Sequence, residues 1–257
     1  MERVVRSPRV AEMVADRLRS QILAGDVGDR LPPQEELLAK FKVGLPSIRE
    51  ALRILEVEGL VTVHRGNVGG ATVHLPDTSN VAYMLGMVLE SRQVPMDDIA
   101  AAIRQLEPMC AGMCSQRPDR IEGTVAALET LVDQQRVTID DPMKFNSLAR
   151  EFHEVVVDGC GNQSMALTVG SLVQLWTAQE QSWTEVAAPE GRFPNRELLQ
   201  QIVDVHEKIA AAIKEGNTES AVRLSAAHLE AAQTYHLSVE SRPHVVCAPL
   251  RYTQRQE

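Results

Sequence analysis

Residues 31–70, LPPQEELLAKFKVGLPSIREALRILEVEGLVTVHRGNVGG, constrain the fold more than any other part of the chain. Pro32 and Pro33 pre-set the start of a short helix whose Leu37, Leu38 and Phe41 fall at helical spacing. After a tight turn, Gly44 serves as the N-cap of a second amphipathic segment. Pro46 is tolerated in its first turn, Ile48, Ala51, Leu52 and Leu55 form its apolar stripe, and Gly59 stops it. Val61-Thr62-Val63 and Ala71-Thr72-Val73 then alternate like two short strands on either side of a glycine-rich tip, residues 64–70. Upstream, Val10, Met13, Val14, Leu18 and Ile22 predict a further helix over residues 9–24, closed by Gly25 and Gly28. This order predicts a helix-turn-helix carrying a β-wing, a shape most often used to read duplex DNA.

If the third helix enters a groove, the residues on its outer side are Ser47, Arg49, Glu50 and Arg53. Its N-terminus at Gly44 presents backbone N–H groups, which favour a phosphate. Arg49 can add a charge-assisted bond to a phosphate or a guanine edge; the competing reading is an ion pair along the helix. At the wing tip, which also holds Asn67, Arg65 supplies positive charge, and Gly66, Gly69 and Gly70 let the backbone pass close to another surface. The competing reading there is a plain hairpin turn. Gly44, Ser47, Arg49, Arg53, Arg65, Gly66 and Asn67 are therefore the candidate DNA-binding residues.

The net charge of −9 misleads if taken whole. Residues 1–75 hold 11 Lys/Arg against 10 Asp/Glu, whereas the remainder holds 15 against 25. The acidic excess belongs to the second part, and the first can bind DNA only if its cations share one face. At 257 residues there is room for two domains. No run of about 18 apolar residues suggests a membrane span. The N-terminus lacks the continuous apolar centre of a signal peptide, so a cytoplasmic location is expected. Cys110 and Cys114 lie one helical turn apart, not in the Cys-x-x-Cys spacing of a zinc finger. With Cys160 and Cys247 they read as reduced core thiols.

After a linker at residues 76–80 the chain is a succession of amphipathic segments, predicting helices near 81–91, 96–116, 119–136, 141–158, 163–183, 195–215 and 218–239. The expected fold is mostly α: an N-terminal winged helix-turn-helix (1–75), then an all-α antiparallel helical bundle (76–240), then a tail (241–257). His153, His206 and His228 fall on three different predicted helices. Imidazoles that converge in a bundle suit a divalent transition metal, whereas one histidine among apolar residues is more often a core residue. Spacing alone does not show convergence. Arg104 matches a carboxylate bidentately, or else pairs with Glu107.

Two sets of residues carry a family resemblance. Leu31-Pro32-Pro33, the run Glu36 to Phe41, Val43, and Ile48-Arg49-Glu50-Ala51-Leu52 through Glu58-Gly59-Leu60-Val61 resemble the DNA-binding domain of the GntR family of bacterial transcription regulators. The Arg-Glu-Ala-Leu run and the closing Glu-Gly-Leu-Val are the most specific parts. Gly44 and Leu45 stand where members often have serine or threonine followed by arginine, and Glu35 stands where many have an arginine. Arg104 to Glu107, Phe152-His153, Gly161-Asn162, His206 with Ile209 and Ala212, Gly216-Asn217, Ala221 and His228-Leu229 resemble the ligand-binding domain of the FadR-type (FCD) branch. The resemblance implies that His153, His206 and His228 hold a metal, often zinc, which helps grip the carboxylate of a small effector. The aspartate or asparagine that often joins them is Ala149 here. A metal-free pocket, in which the histidines bond an organic acid directly, remains the alternative.

Together these readings predict an effector-responsive, DNA-binding homodimer. It would act as a repressor, released by a small organic acid or acyl metabolite, with Arg104, His153, His206 and His228 around the effector. A metal-dependent enzyme built on the histidines is the rival. Glu151 and Glu207 are the nearest candidate bases, and helical geometry turns them away from a common centre.

Overall fold

The structure, a computed structural model, describes residues 10–64, 70–191, 193–239 and 244–247. The chain divides into two compact units, the first ending at Asp77 and the second starting at Thr78.

The first unit contains α1 (Val10–Leu23), α2 (Gln34–Phe41), α3 (Leu45–Val57), β1 (Val61–His64) and β2 (Gly70–Val73). Val14, Leu18 and Ile22 of α1 meet Ile48, Leu52 and Leu55 of α3 in one core, closed by Leu31, Leu37, Leu60 and Ala71. β1 and β2 pair antiparallel, Val61 opposite Val73 and His64 opposite Gly70. The segment before α2 adds to the same sheet: Leu31 N–H donates to the Ala71 carbonyl at 2.9 Å, and Val73 N–H to that of Asp29 at 2.8 Å. These bonds fasten the base of the wing to the helices. Arg19 ties α1 to the end of α3 through a two-bond pair with the Glu58 carboxylate, at 2.8 and 2.6 Å. Arg65, Gly66 and Asn67 lie outside the described residues.

The second unit is helical: α4 (Thr78–Ser91), α5 (Met96–Gln116), a π-helical turn (Ile121–Val125) running into α6 (Ala126–Val137), α7 (Pro142–Asp158), α8 (Gln163–Ala187), α9 (Arg196–Glu215) and α10 (Thr218–Val239). Asp141, Asn162 and Asn195 cap α7, α8 and α9 by accepting first-turn backbone N–H groups. Gly216 ends α9 at φ 72°, a left-handed position that suits glycine. Short turns join the helices, and α5 runs against α10, α8 and α9. Gly112 lets α5 approach α10 closely, since a Cβ there would lie 2.7 Å from Val222 Cγ2.

Two expected boundaries move. The stretch expected to be a linker already turns helical at Thr78, and α8 continues past 183 to Ala187, with Thr184 and Ala187 buried. Part of the segment expected to be a tail docks on the second unit. Val245 N–H donates to the Val94 carbonyl at 3.0 Å, and the Gln179 side chain to that of Val246 at 2.9 Å. Cys110, Cys114 and Cys160 are buried; burial pushes the Cys114 thiol up to about 12, and its Sγ donates to the Val156 carbonyl. No helix among the described residues is long and apolar enough to cross a membrane.

Candidate functional site

In the first unit, α3 buries Ile48, Ala51, Leu52 and Leu55 and turns Arg49, Glu50 and Arg53 outward. Gly44 is its N-cap, in extended conformation at φ −78°. The helix end offers fewer donors than the sequence implied, because Pro46 has no N–H and that of Ser47 donates to the Gly44 carbonyl at 3.0 Å. Arg53 lies along the helix and makes two bonds to the Glu50 carboxylate, at 3.0 and 2.8 Å. Arg49 is exposed on the same face.

In the second unit His153 of α7, His206 of α9 and His228 of α10 converge. Their ligating nitrogens all lie within 4.8 Å of one another. His206 Nε2 is 3.0 Å from His228 Nε2, which is 3.4 Å from His153 Nε2. The Phe152 ring stacks on His206 with centroids 4.0 Å apart and fixes its plane.

The outer nitrogens of two rings are tied. His153 Nδ1 meets Glu107 Oε1 at 2.6 Å, and His206 Nδ1 meets Gln135 Oε1 at 2.9 Å. The Gln135 amide is itself oriented, since its Nε2 donates to the Leu148 carbonyl at 3.1 Å. His206 therefore carries its proton on Nδ1 and turns the Nε2 lone pair to the centre. Burial holds His206 well below the usual imidazole range, reinforced by His228 and His153. Burial, with His153, lowers His228 to about 3. Burial also opposes charge on His153, but the Glu107 carboxylate outweighs it and raises that ring's pKa.

This donor set fits a divalent transition metal. Ligand nitrogens about 2.0–2.1 Å from a tetrahedral ion stand roughly 3.3 Å apart, and the two shortest separations here bracket that distance. A carboxylate and an amide oxygen behind two of the rings are the supports that ligating histidines use. Ala149, on the wall beside them, supplies no anionic ligand; Glu107, only 1% exposed, brings negative charge one bond further out.

The imidazoles line a cavity of about 70 Å³, with Ile103, Phe145, Trp176 and Leu229 among its apolar walls. Arg104 is not on its wall: its Nη1 donates to Gln233 Oε1 at 2.9 Å, and Gln233 lines the cavity. Glu107, the acid that would have paired with Arg104, is instead the partner of His153. The guanidinium on the wall is that of Arg150, which donates to the Thr177 carbonyl (3.4 Å) and to Gln181 Oε1 (3.1 Å). Sequence reasoning missed Arg150, Gln135 and the role of Glu107. Arg150 lies three residues before His153 on one helix, a spacing that could have suggested it.

The FCD domain family matches residues 98–231, and the family of bacterial regulatory proteins named gntR matches residues 10–71. The chain is 27% identical over 237 residues to an HTH-type transcriptional repressor NanR of Salmonella newport, covering 89% of this chain and 86% of that one. It is 25% identical over 226 residues to the NanR repressor of Klebsiella aerogenes, covering 86% and 83%. A solved structure described as Streptococcus agalactiae GntR shares the fold, with a TM-score of 0.66 and 24% identity over 87% of this chain and 99% of that one. These families comprise transcription regulators and not enzymes. With both halves matched in the expected order, the chain belongs to the gntR family of bacterial regulatory proteins, in the branch that carries an FCD domain.

Proposed function

We propose that this regulator is a homodimeric repressor whose first unit reads an operator and whose second unit binds a small carboxylate and carries the dimer contact. The observation that carries the effector reading is the convergence of three imidazoles from three helices on the wall of one cavity, within the region matched to the FCD domain. His153, His206 and His228 would hold a divalent metal such as zinc, which when bound offers a Lewis-acidic position to a carboxylate oxygen. Arg150 supplies a second anchor for the carboxylate, and the apolar walls exclude water around it.

In the first unit Arg49 makes the principal contact from α3. Arg53 joins it only by giving up its bonds to Glu50, so it contributes less. Val81, Met84 and Val88 stand 44%, 59% and 45% exposed on one face of α4, an apolar stripe suited to a second copy of the chain. Two copies bring two recognition helices to a near-palindromic site. The effector acts by binding the DNA-competent and DNA-incompetent arrangements with different affinities.

Fluorescence anisotropy with a duplex drawn from the region upstream of the chain's own gene tests this reading. Binding that weakens with salt and is relieved by a short carboxylic acid is the expected result. No binding by the wild type, or binding that no carboxylate alters with or without zinc, would overturn it.

A further inference from the structure

Gln233 is a polar group on the cavity wall that the carboxylate site leaves unused. It lies on α10 five residues beyond His228, about 7.5 Å further along the helix. Both side chains line the same cavity. Gln233 is 2% exposed, and its Oε1 accepts the bond from Arg104 Nη1. That bond fixes the amide, because the reversed amide would set N–H groups against a guanidinium that has only donors. Its Nε2 is consequently a buried donor with no partner among the described residues. A buried amide N–H without an acceptor is a standing penalty that a leucine would not incur at a wall otherwise shared with Ala232 and Leu229.

We propose that Gln233 is the specificity-determining donor of the effector cavity, with Arg104 as its positioning residue, and that the effector is a short hydroxylated carboxylic acid. Its carboxylate lies at the imidazoles and Arg150, and a hydroxyl oxygen accepts from Gln233 Nε2. The small cavity keeps the carbon chain short. An unsubstituted acid of equal length leaves the amide unsatisfied and is discriminated against for that reason. The inference rests on the carboxylate reading above and adds what the second half of the ligand must offer.

Isothermal titration of the full chain, supplied with zinc, against 3-hydroxypropanoate and its isostere butyrate tests it. The wild type is expected to prefer 3-hydroxypropanoate about tenfold, the worth of one hydrogen bond. Gln233→Met abolishes the preference by weakening 3-hydroxypropanoate alone. Gln233→Leu, which likewise has no N–H, does the same. Arg104→Met shrinks the ratio while butyrate affinity holds, whereas a merely structural role would weaken both acids together. Equal binding of the two acids by the wild type, or a preference that survives in a folded Gln233→Met or Gln233→Leu protein, overturns the assignment and leaves the carboxylate reading standing. Failure of the wild type to bind either acid overturns the carboxylate reading itself.

Discussion

At the scale of residues, the candidate metal centre depends on what stands behind its three imidazoles as well as on the imidazoles themselves. A partner on an imidazole's outer nitrogen fixes its tautomer and turns the other lone pair to the centre, and Glu107 and Gln135 do this for two of the three. Glu107→Gln is expected to weaken zinc binding about 10–100-fold while leaving the fold intact, and His206→Ala to weaken it further, both read by competition with a chromophoric chelator. The histidines themselves were legible, because each sits in a run that the family pattern marks. Their supports were not: Glu107 and His153 are 46 residues apart and Gln135 and His206 are 71 apart, so no spacing rule joins them. Arg104 is the reverse case: its run reads either as a carboxylate grip or as an internal pair, and its guanidinium holds the neighbouring Gln233 amide. For DNA, Arg49→Ala is expected to lower operator affinity about tenfold or more without a change in melting temperature. If Arg49 touches a phosphate, the slope of log affinity against log salt falls by about one; if it reads a base, the slope stays and sequence discrimination is lost.

At the scale of elements, most boundaries followed from local chemistry. Asn162 and Asn195 cap their helices through side-chain oxygens, and Gly216 closes α9 in a left-handed turn; each of these is visible in the sequence. α8 runs past the expected end at 183 because nothing between Trp183 and Pro189 breaks a helix, and burial of Ala187 carries it on. The close approach of α5 and α10 was not legible, since the reason for Gly112 is a side chain more than a hundred residues away. Gly112→Val is expected to push α10 off α5 and cost about 1–3 kcal/mol, measured by denaturant unfolding. Because α10 carries His228 and Gln233, the same substitution should lower zinc affinity as well as stability.

At the scale of the whole molecule, the two units divide the work by charge as well as by shape, with the acidic excess confined to the part that does not face DNA in the proposed reading. The exposed stripe on α4 gives the oligomer prediction its substance. Replacing Met84 and Val88 together by glutamate is expected to convert the proposed dimer to monomer in sedimentation velocity, because acidic side chains on the proposed contact would repel their copies. Operator affinity should fall with it, since each half then binds alone. What the sequence by itself determined is the order of elements and the family, because helix periodicity, caps, turns and the Arg-Glu-Ala-Leu run are written in neighbouring residues. What only the tertiary structure decided is which side chains meet: that three histidines share a centre, that Arg150 and not Arg104 reaches the cavity, and that Gln233 is left with a free donor. Those outcomes depend on how helices pack across the core, where a small change in helix rotation or a single glycine alters which atoms face one another, and no local pattern encodes that.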